Sequence, residues 1–429
     1  MTPALRSLVL PIIANLIPPE LTREQARRLG VVRRQGKVDA YQLLAVVVLG
    51  LVVRGPVAIA QLGHIFVEVT GTSMVRSSFW DRFTPSFSDL MKWALDRMVL
   101  CSRPPKHRPL GVLGAFRDVL AADSSVIKVH DDLRSLYKGT RRNSAKAAVK
   151  LHAWVRVLTG ELVKYRLTAE AYADCKAFGI DHELRGVLML FDRGYASPSL
   201  WRRIDSVGGY FLTRIPAGWN PLVLEENRRH RGRARKLSGL KLRDALDGLK
   251  RTVVDIQAQF TCRVRGYGGL PGRKVQESYR VIALYNPELD EYGLYATNAP
   301  ESLMDATHVR EIYRLRWEVE SFFKTAKSGS GINELPSSKA HIVETLLYAG
   351  LLRASLAMRA RAAVVQARAL CINPHQWVRW WNRHLGSLLD ELLAGFVDVD
   401  ALIDWKILTD PNRRRVPTRQ AFATGWQPW

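Results

Sequence analysis

Gly186 to Phe191 is an unbroken apolar run that stops at Asp192. It is too short for a helix of ordinary length, and a strand with no polar position must be covered on both faces. The run therefore predicts a central strand in a sheet with layers on either side. Its neighbours in sequence extend that sheet. Val119 to Val129 reads as a strand with Asp123 set inside it, and Ala147 to Val157 faces Leu162 to Leu167 across a glycine-bearing connection at 158–161. Helical stretches near Tyr172 to Leu184 and Pro198 to Ile204 alternate with the run at 186–191 and a strand at Gly209 to Ile215. Three antiparallel strands followed by helix, strand, helix and strand is an α/β pattern.

With 429 residues the chain exceeds what one core usually serves, and two to four domains are expected. Residues 1–105 read as a helical DNA-binding domain, with apolar runs at Leu5 to Leu16, Leu43 to Val53 and Phe87 to Leu100 separated by proline breakers. Its Arg23, Arg27, Arg28, Arg33, Arg34 and Lys37 suit phosphates and equally a solvated helix face. Residues 110–215 form the first part of the α/β core, and residues 216–300 a β-rich basic insertion. There Val254, Ile256, Ala258, Phe260, Cys262 and Val264 alternate with polar side chains from Asp255 to Arg265, the period of a half-buried strand. Within 228–251 ten basic residues, among them Arg228, Arg229, Arg231, Arg233, Arg235 and Lys236, face only Asp244 and Asp247. That density suits an arm tracking phosphates or a solvated loop. Residues 301–350 return to the core with a helix from Leu303 to Lys327 that stops at Ser328 and Gly329, and a second long helix runs from Ser338 to Arg368. Residues 351–429 are a helical region suited to dimerisation, where Trp377, Trp380 and Trp381 belong to a core or to a subunit interface.

Lys and Arg number 64 against 40 Asp and Glu, a formal charge of +24 that points to a polyanion, nucleic acid ahead of membrane surface. Four scattered cysteines with no paired spacing argue against a zinc finger or a disulfide framework and for a reducing cytoplasm. The longest apolar run, Leu43 to Val53, is well short of the roughly 20 residues that cross a bilayer. Pro11 interrupts the only stretch like a signal peptide, Leu8 to Ile17. A protein acting in the cytoplasm, at the nucleoid, is the expectation.

Three carboxylates stand out. Asp123 sits among Val119 to Ala122 and Val126 to Ile127, where an unpaired charge is not normally tolerated. Asp192 follows an apolar strand, at the carboxyl edge where open α/β sheets bind ligands, although an Asp before Arg-Gly-Tyr also serves as a cap or turn former. On a helical wheel with Tyr313 at zero, Arg316 falls near −60°, Glu320 near −20° and Lys327 near −40°. Glu311 and Glu318 fall opposite and read as solvated surface. The shared face alone fits an intrahelical ion-pair ladder. Together with the two aspartates it offers three oxygen donors, the chemistry Mg²⁺ or Mn²⁺ prefers.

Ala122-Asp123-Ser124-Ser125 in the first strand, Phe191-Asp192-Arg193-Gly194-Tyr195 after the fourth, and Tyr313-x2-Arg316-x3-Glu320-x6-Lys327 on a later helix resemble the DDE transposases of bacterial insertion sequences. The last spacing resembles the insertion-sequence-four family in particular. From Asp192 to Glu320 is 320 minus 192, or 128 residues, and that family also places a strand-rich insertion there.

The resemblance covers about residues 110–350 and implies a ribonuclease H-like fold with two divalent ions, Mg²⁺ with Mn²⁺ as substitute, cutting and joining DNA. It implies that Asp123, Asp192 and Glu320 are the metal ligands, with Asp123 shared. Arg316, Lys327, Tyr313 and Arg193 would bind phosphates. Tyr195, Trp317 and the basic residues Arg228 to Lys236 are weaker candidates. Trp317 is expected in the core, with stacking on an unpaired base as the sharper reading. The partners implied are transposon-end and target DNA, synapsed by a homodimer. Another ribonuclease H-like nuclease or resolvase remains open and is separated by strand joining. So does a catalytically silent, transposase-derived DNA-binding protein, against which all three acids and both basic partners speak. Against a general RNA-binding protein, the sequence lacks the exposed aromatic strand motifs of the common RNA modules.

Overall fold

The computed structural model describes residues 15–32, 38–50, 59–102, 111–140, 146–216, 218–227, 236–264, 272–330, 334–335, 337–368 and 372–394. Five helices come first: α1 (Pro19–Arg28), α2 (Ala40–Gly50), α3 (Ile59–Thr70), α4 (Arg76–Trp80) and α5 (Pro85–Leu100). Apolar nearly all round, α2 is buried along almost its whole length against helices from the far end of the chain. Thr84 caps α5 by accepting from the Phe87 amide at 3.2 Å, with Pro85 in the first turn.

The sheet begins with β1 (Asp118–Val129), β2 (Ala148–Arg156) and β3 (Leu162–Ala169), paired antiparallel in sequence as the hairpin pattern predicts. β4 (Val187–Phe191) then lies parallel to β1, and β5 (Tyr210–Arg214) parallel to β4. Between β4 and β5 runs α6 (Pro198–Ser206). The predicted helix at 172–184 is instead two single 3₁₀ turns, at 174–176 and 182–184. Asp181 caps the second turn through the Glu183 amide, a local hydrogen bond that competes with a continuous helix.

Residues 216–300 supply β6 (Leu222–Glu226), the short α7 (Leu242–Leu246), β7 (Val253–Val264), β8 (Arg273–Asn286) and β9 (Glu291–Thr297). All four strands pair antiparallel, and β9 also pairs with β5, so they prolong the sheet in the order β3-β2-β1-β4-β5-β9-β8-β7-β6. β7 shows the predicted alternation, with one exception: Asp255 is buried rather than solvated.

The predicted helix from Leu303 to Lys327 is broken into α8 (Val309–Arg314) and α9 (Trp317–Ser330). The amides of Leu315, Arg316, Glu318 and Val319 each bond the carbonyl three residues back, which tightens the chain into a turn at Leu315–Arg316. At its other end α9 runs through Ser328 and Gly329 to Ser330. The two-residue β10 (Glu334–Leu335) pairs parallel with β1, and the long α10 (Ala340–Arg368) and α11 (Pro374–Ala394) follow. Trp377, Trp380 and Trp381 are buried, and the Trp377 indole donates to the Ala357 carbonyl of α10 at 2.7 Å.

Alternation sorts the sheet into two faces. Val119, Ala121, Leu188 and Leu190 enter the core shared with α5, α9, α10 and α11, whereas Leu120, Ala122, Met189 and Phe191 enter a second core with α6. By the same alternation Asp123 and Asp192 fall on the first face, the one that α9 covers.

Candidate active site

β1 and β4 pair as far as Ala122 and Phe191, which stand opposite each other in register. Asp123 and Asp192 are the next residues on each strand, so two parallel strands deliver two carboxylates at one level and on one face. The Ser124 amide donates to Asp123 at 2.7 Å. Asp192 stands at the N-cap position of the 3₁₀ turn 193–195, yet its side chain makes no cap hydrogen bond. The capping reading of Asp192 therefore fails. Its backbone carbonyl is held instead, accepting from the Tyr195 amide and from the Thr213 hydroxyl at 3.3 Å.

Glu320 is one turn into α9, and Arg316 in the preceding turn joins it to Asp123. The Arg316 guanidinium lies 2.5 Å from Glu320 and 3.2 Å from Asp123, with 8% of the side chain exposed. Burial opposes the guanidinium charge, but the hydrogen bond to Glu320 and the nearby acids hold its pKa above the ordinary value. Its Nε is buried and has no hydrogen-bond partner among the described residues. Lys327 reaches the Val126 carbonyl of β1 at 2.8 Å, and burial lowers its pKa. Tyr313 packs edge-on against Tyr295 at 5.2 Å, its hydroxyl buried with no hydrogen-bond partner among the described residues and pushed up to about 12 by burial, with Asp192 adding to the shift. The wheel assumed one helix. The observed break keeps Arg316 and Glu320 in contact and turns the guanidinium toward β1.

The remaining sequence candidates separate. Arg193 is exposed beside Asp192. Tyr195 is buried and stacked on Phe191 at 5.4 Å; burial first, then Asp174 and Asp123, hold its hydroxyl well above the tyrosine range. Trp317 is 59% exposed, not in the core as expected, because the turn at Arg316 re-aims it and the Arg316 guanidinium lies 5.6 Å over its ring. Glu311 and Glu318 are half-buried rather than solvated. Arg228, Arg229, Arg231, Arg233 and Arg235 lie outside the described residues, and Lys236 is exposed at their border.

Two features were missed. Arg214, at the end of β5, lies over the rings of Tyr295 and Tyr313 at 5.9 and 5.8 Å. Its place at the next strand end was the available signal. On the opposite face, His152 pairs in register with Ser124, touches Thr168 at 2.9 Å and is driven down to about 4 by burial, so it is neutral. Nothing in its sequence context announced it.

Burial raises Asp123 to about 6, with Asp192 and Glu320 adding to the shift and the Ser124 amide and Arg316 opposing it. The folded protein thus holds this proton more tightly than the unfolded chain. That contribution to stability is complete below about pH 4 and is lost as pH rises through about 6. In metal-free buffer Asp123→Asn should therefore exceed wild type by about 2 kcal/mol at pH 8, with the gap closing toward pH 4. Denaturant melts across pH test this, and a less stable variant at pH 8 would overturn it.

All the acidic donors here are carboxylates, which suits a hard divalent ion. Their mutual repulsion at Asp123 is the feature a cation relieves, and Arg316 supplies that cation between Asp123 and Glu320. Among the described residues no three metal-ligating side chains are gathered tightly enough to hold an ion. Donor chemistry fits Mg²⁺ or Mn²⁺, while the carboxylate spacing is that of a site with Arg316 inside it.

The chain is similar to known proteins. The family described as Transposase DDE domain matches residues 114–355. The transposase for insertion sequence element IS231B of Bacillus thuringiensis subsp. berliner is 21% identical over 366 residues, 78% of this chain and 76% of that one. The IS231F transposase of Bacillus thuringiensis subsp. israelensis is 23% identical over 373 residues, 79% and 77% of the two chains. Among solved structures, a cryo-EM structure of the piggyBac transposase synaptic complex with hairpin DNA matches with a TM-score of 0.46 and 11% identity, covering 94% of this chain and 85% of that one. No helix among the described residues is long and apolar enough to cross a membrane.

Proposed function

We propose a two-ion DNA cutting and joining reaction for this chain, which belongs to the transposase DDE domain family and is a DNA transposase. The observation that carries the proposal is the level pair of Asp123 and Asp192 on adjacent parallel strands, with the Glu320 helix laid over the same face. The strand order β3-β2-β1-β4-β5 supports a ribonuclease H-like core, prolonged by the β-rich segment 216–300.

Asp123, Asp192 and Glu320 would hold two Mg²⁺ or Mn²⁺ ions. Once bound, such ions stabilise the attacking and leaving oxygens of a phosphodiester. The side chains around them do the rest. Arg316, already desolvated and with an Nε that has no partner among the described residues, is primed to take a phosphate on its fork. Lys327 can leave the Val126 carbonyl for a phosphate oxygen, and the Tyr313 hydroxyl has a hydrogen bond to give. Arg193 adds charge beside Asp192. Trp317, exposed and backed by Arg316, offers a face for an unpaired base.

Further parts of the reading rest on charge and family. The helical N-terminal region would bind transposon ends, the basic stretch Arg228 to Lys236 would follow phosphates of a bent end, and the C-terminal helices would serve a homodimer that synapses two ends before joining them to target DNA. The site of action would be the nucleoid. The test is cleavage and strand transfer on DNA bearing the flanking repeats of the element. Both products should form with Mg²⁺ or Mn²⁺ and vanish in EDTA while end binding persists. Cleavage that survives EDTA would sink the two-ion mechanism.

A further inference from the structure

A second basic surface lies on the sheet face away from Asp123. It is a groove of about 810 Å³ between the 172–179 segment, α6 and the end of β7. Among the described residues its walls carry Lys176, Arg202, Arg203 and Arg263 and no acidic side chain. Glu277 takes Arg202 at 2.7 Å, and Arg203 bonds the Phe178 carbonyl at 3.3 Å. The side chains of Lys176 and Arg263 are exposed and make no hydrogen bond or ion pair among the described residues. The one acid of this segment, Asp174, turns inward, 3.4 Å from both Lys150 and His152. That inward turn leaves the described walls of the groove with a single sign of charge.

The groove also adjoins the catalytic edge. A Cβ on Gly194, two residues after Asp192, would lie 3.9 Å from the Asp174 carboxylate, and Cys175 beside it lines the groove. The turn that follows Asp192 and the segment that walls the groove therefore approach each other at Gly194 and Asp174.

We propose that the groove binds the sugar-phosphate backbone of a single DNA strand running from the catalytic edge over the α6 face. This rests on the DNA-cutting reading of Asp123, Asp192 and Glu320. Charge selects the polyanion, and a volume in the range of small-ligand sites takes a strand a nucleotide or two at a time, not a duplex. Tyr172, half-buried with Arg166 5.1 Å over its ring, adds an aromatic wall that favours no particular base.

The test uses full-length protein in EDTA and a labelled thymidine 20-mer, read by fluorescence anisotropy across salt concentrations. Lys176→Glu with Arg263→Glu should weaken binding at least tenfold and flatten the log–log salt slope by about 1.4, or about 0.7 for each lost contact. Equal melting temperatures check that the variant folds. As a second readout, the wild-type Cys175 thiol should be alkylated several-fold more slowly when the 20-mer is bound, measured by peptide mass spectrometry. Unchanged affinity and slope, unaltered Cys175 labelling, or stronger protection by duplex than by single strand would each overturn the groove. Those results leave the catalytic reading intact if wild type still cuts ends in Mg²⁺. Cleavage that survives Asp123→Asn would overturn the catalytic reading and this proposal with it.

Discussion

Asp123→Asn is expected to lower Mg²⁺-dependent cleavage of DNA ends at least about a thousandfold, or about 4 kcal/mol of transition-state stabilisation. Binding of the same DNA in EDTA should stay within about threefold. The substitution keeps shape and volume and removes one negative charge, so it isolates the electrostatic role of the carboxylate. The stability gain expected at pH 8 runs the other way, and the two results together are diagnostic. A structural aspartate would lose stability and activity in parallel; a carboxylate kept among like charges for chemistry should lose activity while the fold gains. Glu318→Gln, two residues from Glu320, is the control and should retain activity. Asp123→Asn cleaving within tenfold of wild type would remove Asp123 from the chemistry.

The strands around these acids were legible because burial and period coincide there. Val187 to Phe191 is buried throughout, as an apolar run between two layers must be, and β7 alternates as its residues do. Asp123 and Asp192 could be chosen from sequence since both interrupt or end such runs. What escaped depends on contacts between distant segments. The turn at Leu315–Arg316 forms where the Arg316 guanidinium meets a carboxylate 193 residues earlier, and no local propensity encodes that. The same turn exposes Trp317, which a hydropathy pattern assigns to the interior. Asp255 is the clearest case. Its period marks it as solvent-facing, but it is buried because Arg280 on the next strand answers it.

Arg280→Ala should be among the most destabilising single changes in the chain, at about 3–5 kcal/mol. β7 and β8 pair Asp255 with Ile282 and Gln257 with Arg280, which makes Asp255 and Arg280 diagonal neighbours on one face. The guanidinium grips Asp255 at 2.5 Å, and its other arm donates to the Ala299 and Met304 carbonyls at 3.1 and 2.7 Å. Truncation strands a carboxylate with no exposed surface, to which only Asn227 among the described residues still donates at 2.7 Å, and frees two buried carbonyls. Arg280→Met with Asp255→Leu should recover most of the loss, because removing both charges together lifts the desolvation penalty. Denaturant melts of the four proteins in the cycle give the coupling directly, and a cost below about 1 kcal/mol for Arg280→Ala would refute it. Ala299 and Met304 lie just before α8, so this pair fastens the β-rich segment to the chain that carries Tyr313, Arg316 and Glu320. Loosening it should therefore slow cleavage beyond what the unfolded fraction explains, whereas the double substitution, which leaves both carbonyls without the guanidinium, should restore stability more fully than cleavage.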